Sequence, residues 1–308
     1  MLGKLIKSGL LGSEYMHLVP NILKSIDGTH PLLGKVASYY LKSEGKRLRP
    51  QLVLLTGAST NEINAKHYKL AEISEMIHTA SLLHDDVIDQ ASTRRHLTAS
   101  NEHFGNKLTI LAGDYLLAKA SVEISRLGDL KVVELMANIL QDLVHGEILQ
   151  MEPEYTIKAY VDKCFYKTAS LMANSCQSAC ILANGSLTLQ NDAFDYGKHL
   201  GIAFQVIDDN LDCTGVQLGK ESQQDLKNGI VTAPVLYAME KFPEIKEMLM
   251  KKEYSKVYEM VLNSDCLEES RNLAERHIKM AITYTNRFPG ESRSQMIEIC
   301  EEILNRHK

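Results

Sequence analysis

From Pro50 to Pro153, and again from there to Pro234, the chain carries no proline. Proline breaks a helix by removing an N–H and clashing with the turn before it, so two stretches of such length leave helices free to run. Apolar residues within them recur three and four apart, and no alternating strand pattern competes. Prolines elsewhere fit first-turn positions, as in "THPLLGKVASYYL" at Pro31 and "TAPVLYAMEKF" at Pro234. The pattern predicts an all-α chain with helices near 31–44, 48–58, 65–90, 107–126, 130–152, 155–183, 187–213, 231–240, 254–263, 266–287 and 291–306. The least regular stretch is 212–232, where Gly215, Gly219 and Gly229 are spread among charges; a loop of that length in a helical protein is usually functional. With no repeat, low-complexity run or linker, 1–308 reads as a single domain, with 1–18 as a flexible N-terminal segment.

Composition excludes several classes. Apolar residues form 44% and charged residues 24% of the chain, the balance of an ordinary globular protein. The net charge of −5 and the lack of a basic stripe argue against nucleic-acid binding. No apolar run reaches membrane-span length, so an integral membrane protein is not expected. Cys164, Cys176, Cys180, Cys213, Cys266 and Cys300 contain no C-x-x-C pair and read as buried free thiols. That points to a reducing compartment, cytoplasm or mitochondrial matrix, without choosing between them. The opening "MLGKLIKSGLLGSEYMH" reads as an amphipathic helix, the alternative being the remnant of a mitochondrial presequence.

The chemistry is concentrated in "SLLHDDVIDQASTRRH", where an apolar helical stripe ends in Asp85, Asp86 and Asp89. Carboxylates one turn apart share a helix face, and two poorly solvated ones about 6 Å apart repel by roughly 3 kcal/mol at an effective dielectric of 20. "GIAFQVIDDNLDCTG" repeats the pattern with Asp208, Asp209 and Asp212. One D-D-x-x-D is a commonplace acidic helix end; two, each closing an apolar helix, call for cations between them. Hard oxygen donors favour Mg²⁺ or Mn²⁺. Without these six charges the net charge of −5 would become +1. Magnesium commonly binds through a few carboxylates plus substrate phosphates, so a diphosphate is the natural ligand.

Cations are spaced to meet that ligand. "SEGKRLRP" offers Lys46, Arg47 and Arg49 beside Gly45; Arg94 and Arg95 follow the first cluster; Lys167 lies in "FYKTASL"; Lys220 and Lys227 lie in the glycine-bearing loop. Each alone reads as a solvated charge. Together with the carboxylates they make two anion sites, one through metal and one through direct charge-assisted hydrogen bonds.

"GKRLRP", "HTASLLHDDVID" followed by "RR", "YKTASL", "GIAFQVIDD" and "DLKNGIVTAP" stand in one order along the chain. In this the sequence resembles the trans-isoprenyl diphosphate synthases, most closely the long-chain polyprenyl diphosphate synthases of ubiquinone side-chain synthesis, from about residue 30 to the C-terminus. The resemblance implies the isoprenoid synthase fold, a large helical bundle around a deep central cavity. It assigns Asp85, Asp86, Asp89, Asp208 and Asp209 to Mg²⁺ ions on an allylic prenyl diphosphate, with Asp212 a more distant contributor. Arg94, Lys167 and Lys220 complete that clamp. Gly45, Lys46, Arg49, His78 and Arg95 match the isopentenyl diphosphate site, and Thr168 and Gln205 match positions by the allylic pocket. Two departures stand out. Ile230 replaces a lysine common in relatives, with Lys227 near enough to substitute, and His96 replaces a glycine. The family also implies a homodimer.

In short-chain relatives a bulky aromatic four or five residues before the first aspartate closes the product tunnel. Here Ser81 and Ala80 occupy those positions, with Ile77 and Met76 a turn deeper. Small residues there predict a long product, C30 or beyond, and an Ala80→Phe change that shortens it. The alternatives are a C20 geranylgeranyl-length product, or the catalytic subunit of a heteromer that is inactive alone. A class I terpene cyclase shares one acidic helix but not the paired motifs with "GKRLRP", and a purely structural helical scaffold leaves the paired acids unexplained.

Overall fold

The computed structural model describes residues 16–27, 30–43, 45, 47–95, 97–152, 154–215, 223–288 and 290–306. The expected flexible segment 1–18 lies almost wholly outside them, as do Lys46, His96 and Lys220. The helices are α1 (Leu18–Ile26), α2 (Pro31–Ala37), α3 (Leu48–Thr60), α4 (Ala65–Ile88), α5 (Ser100–Phe104), α6 (Asn106–Arg126), α7 (Leu130–Met151), α8 (Ile157–Cys164), α9 (Ser170–Leu182), α10 (Leu187–Cys213), α11 (Ala233–Lys241), α12 (Ile245–Met250), α13 (Tyr254–Leu262), α14 (Cys266–Tyr284) and α15 (Gly290–Leu304). A π-helical turn, Phe165–Ala169, joins α8 to α9. Among the described residues the only strand pairing is a two-residue antiparallel ladder, β1 (Thr93–Arg94) with β2 (Leu97–Thr98).

Local chemistry sets the helix starts. His30 accepts from the Leu32 N–H one residue before Pro31. Asn64 accepts from Lys66 N–H in a capping box with His67, and Asp129 accepts from the N–H groups of Lys131 and Val132. Each satisfies donors that a helix start leaves unpaired. α2 ends at Ala37 instead of running to 44: residues 38–43 form turns, and Tyr40 is swung fully inward. α1, α5 and α12 are additions; α5 and α12 are too short to show a repeating apolar face, whereas α1 buries Leu18, Ile22 and Ile26 along one face.

α3 and α9 are buried on nearly every side, as expected of helices apolar all round. α9 packs on α10, α3 and α7, while α10 packs on α14 and α4 on α6. Small residues make the α9–α10 contact tight. A Cβ at Gly201 would stand 2.5 Å from Ala169 Cα, and one at Gly197 would stand 2.7 Å from the Met172 carbonyl oxygen. Gly146 on α7 plays the same part against the π turn, with a Cβ falling 2.8 Å from Lys167 N. The result is an all-α bundle around a central cavity. All six cysteines are buried and free, and burial pushes the thiols of Cys164, Cys176, Cys213 and Cys300 up to about 12. No described helix is long and apolar enough to cross a membrane.

Candidate active site

A cavity of about 1080 Å³ opens where the C-terminal ends of α4 and α10 meet the turn after α2, the π turn and α15. Asp85 and Asp89 line it from the α4 side, Asp208 and Asp209 from α10. Helix C-termini carry partial negative charge, so four carboxylates there raise the need for cations. Burial pushes the Asp85 carboxyl up to about 6, against the pull of Lys167 and Arg94.

Those cations are present. Lys167 reaches the wall from the π turn, a geometry often found at functional sites, and its Nζ lies 2.7 Å from Glu147. Burial opposes its charge, but Asp85 and Glu147 hold its pKa above the ordinary lysine value. Arg94 comes from the β1–β2 ladder and bonds Asp86 through Nε at 2.9 Å; burial opposes its charge too, and Asp86 outweighs it. From the next residue on the same side, Thr168 Oγ1 donates to Gln205 at 2.8 Å and Gln205 donates to Asp209 at 2.7 Å. Tyr160 donates to the other oxygen of Asp209 at 2.6 Å.

A second cationic group lies beside the first. Arg49, His78, Arg95 and Gly45 line the same cavity. Arg95 Nη2 is 3.4 Å from His78 Nε2. Burial lowers Arg49 to about 10, and its Nε has no hydrogen-bond partner among the described residues. Burial, then Arg49 and Arg95, keep His78 well below its usual pKa and neutral. A guanidinium with a buried, unsatisfied donor beside a second arginine can take an anion.

Several expected residues sit elsewhere. Asp86 is fully buried behind the wall, its carboxylate accepting from Tyr40, Arg94 and the Ser100 N–H. Asp212 is 2% exposed beneath the cavity; Oδ2 accepts from Asp225 N–H, and Oδ1 has no partner among the described residues. Of the tunnel positions only Ser81 reaches the wall. Ala80, Ile77 and Met76 are packed into the core. At 3.6 residues per turn, Ala80 is rotated about 140° and Met76 about 180° from Asp85. Ile230 lines the cavity but Lys227 is exposed and off the wall, where Lys163 stands instead.

Sequence reading passed over Tyr40, Glu75, Glu147, Tyr160 and Arg306, and left Arg47 without a role. Arg47 bonds Glu75 and also donates to the carbonyls of Leu41 and Ser43. Only Arg47 carried a signal, its place inside "GKRLRP". The tightest set of metal-type donors among the described residues is Asp265, Cys266 and Glu269. Lys241 already bonds both of its carboxylates, and none of the three lines the cavity.

Two acid-bearing helix ends line one cavity, flanked by two cation groups, in an all-α bundle. Residues 30–263 match the family described as polyprenyl synthetase. The decaprenyl-diphosphate synthase of Dictyostelium discoideum is 43% identical over 292 residues, covering 91% of this chain and 64% of that protein. This chain thus spans just under two thirds of that relative's length. The crystal structure of a polyprenyl synthase from Caulobacter crescentus, complexed with calcium and isoprenyl diphosphate, superposes with a TM-score of 0.93 at 26% identity, covering 100% of this chain and 98% of that one. A decaprenyl diphosphate synthase from Rhodobacter capsulatus gives 0.92 at 28%, with both chains fully covered. The chain belongs to the polyprenyl synthetase family, a family of trans-prenyltransferase enzymes with the isoprenoid synthase fold.

Proposed function

We propose that this protein condenses isopentenyl diphosphate with allylic prenyl diphosphates to make a long-chain all-trans polyprenyl diphosphate, the precursor of a quinone side chain. The observation that carries the reading is the cavity into which Asp85 and Asp89 project from one helix and Asp208 and Asp209 from another, with separate cation groups beside them.

The donor set is all oxygen and lies at the negative ends of two helices, which fits Mg²⁺ or Mn²⁺. Bound by Asp85, Asp89, Asp208 and Asp209, such ions would neutralise charge growing on the departing diphosphate. Arg94 and Lys167 bind and orient the same group, aided by fixed positive charge in a partly buried site. The allylic C–O bond breaks with its electron pair leaving on the diphosphate. Arg49 and Arg95 hold isopentenyl diphosphate so that its alkene attacks the allylic cation. Loss of a proton to the displaced diphosphate restores the double bond. Neutral His78 accepts or donates a hydrogen bond there without competing for charge. Lys46 and Lys220 are expected to extend the two clamps.

The small Ser81 side chain on the cavity wall and the decaprenyl-diphosphate synthase named among the relatives support a long product. Close packing of Met76 and Ile77 supports the second reading, a C20 stop. One shared core, from Leu18 to Ile303, supports a single domain across the described residues. Exposed Leu111, Val122, Val144 and Ile148 on α6 and α7 supply apolar surface that a homodimer would bury.

The deciding experiment is turnover by the purified protein with Mg²⁺, isopentenyl diphosphate and a series of allylic primers, read by mass spectrometry. Products past C30 are expected. A clean C20 product would overturn the long-chain reading, and no product from folded protein would point to a missing subunit.

A further inference from the structure

Asp86 stands inside the first acidic motif, yet its surroundings are those of a structural anchor. Its side chain is wholly buried and does not line the cavity. One oxygen accepts from Arg94 Nε at 2.9 Å; the other accepts from the Tyr40 hydroxyl and from the Ser100 N–H at 3.1 Å. Ser100 N–H also donates to the Tyr40 hydroxyl oxygen at 2.8 Å, closing the cluster. A metal ion could reach this carboxylate only by displacing a buried cation and two donors, and breaking a buried ion pair is strongly unfavourable.

The same cluster faces the site through one side chain. Arg94 lines the cavity, and among the described residues its two Nη groups have no partner, so Asp86 grips the guanidinium from behind and leaves its outer edge free. That edge carries paired N–H groups suited to a phosphate. Tyr40 contributes twice: its hydroxyl holds Asp86, and its carbonyl oxygen accepts from Arg95 Nη1 at 3.2 Å.

We infer that Tyr40 and Asp86 are positioning residues that set Arg94 for the primer's diphosphate, and that Asp86 ligates no metal. The inference rests on the functional reading above. Its signature is coupling through Arg94, because a residue acting through another loses its effect once that other is gone.

The test is a double-mutant cycle read by equilibrium binding of an unreactive allylic thiolodiphosphate, with Mn²⁺ binding followed by electron paramagnetic resonance. Tyr40→Phe should weaken analogue binding about tenfold, the loss of one charge-assisted hydrogen bond. In an Arg94→Gln background it should change binding by no more than about twofold. Isopentenyl diphosphate binding should hold in Tyr40→Phe, because the carbonyl that holds Arg95 remains. Asp86→Asn should keep Mn²⁺ binding while Asp85→Asn loses it. Additive effects of Tyr40→Phe and Arg94→Gln, or Mn²⁺ loss in Asp86→Asn equal to that in Asp85→Asn, would overturn the inference. Wild-type protein that binds neither analogue nor Mn²⁺ would overturn the functional reading, and this inference with it.

Discussion

Arg306, beyond the end of α15, donates to Asp208 of the second acidic cluster, and its guanidinium lies 5.2 Å from the centre of the Phe204 ring. An intrinsic cation thus sits on a carboxylate proposed to take a metal. The ion must displace it, so Arg306→Gln should lower the Mg²⁺ concentration for half-maximal turnover by about tenfold, the lower end of the worth of one charged hydrogen bond. A Mg²⁺ titration at saturating substrates measures this. An unchanged midpoint would mean that the pair does not compete.

Asp85 gives a pH effect of definite sign. Burial raises its pKa from 3.8 to about 6, so between those values the folded protein holds more protons than the unfolded chain. Stability of the metal-free protein should therefore fall as pH rises through that window, by at most about 3 kcal/mol. Asp85→Asn mimics the protonated form. In EDTA at pH 7.5 it should be more resistant to urea than wild type, while losing about a hundredfold or more in Mg²⁺-dependent turnover. Equal urea midpoints would remove the assigned burial penalty.

Ser81 and Ala80 should part company. Ser81 lines the cavity and Ala80 does not. Ser81→Phe should shorten the product with folding retained. Ala80→Phe should instead overpack the core at about 1–3 kcal/mol. Product length by mass spectrometry and melting temperature separate the two; a shorter product from Ala80→Phe alone would restore the sequence expectation.

Gly201 is where α10 touches the end of the π turn, and a Cβ there would meet Ala169 backbone at 2.5 Å. Gly201→Ala should cost about 1–3 kcal/mol and displace Lys167 and Thr168, raising KM for the primer more than for isopentenyl diphosphate. Equal changes in both constants would leave the glycine a purely structural role.

Long helices were legible because their apolar period repeats over many turns: α4, α6, α7 and α10 lie within two residues of expectation. The four cavity-lining aspartates, Lys167 and Arg49 were legible because charged residues in fixed spacing beside such helices need a reason. What stayed hidden was direction. D-D-x-x-D does not say that Asp86 turns from the cavity while its neighbour Asp85 faces it; only the 100° step between adjacent helix positions does. The β1–β2 ladder was too short for a period, and Arg306, Glu147 and Tyr160 reach the site through tertiary packing from 98, 20 and 49 positions before or after their partners there.

The six sequestered thiols give the protein a built-in silence toward thiol-seeking reagents. With every sulfur buried, and four of them held protonated far above neutral pH, alkylation of the five thiols away from the cavity wall, where Cys164 stands, can proceed only through molecules that have opened. The pace of native-state labelling is therefore a clock for local opening. One cysteine placed on the exposed surface, at Lys227 for example, would accept a single probe with all six natural ones left in place.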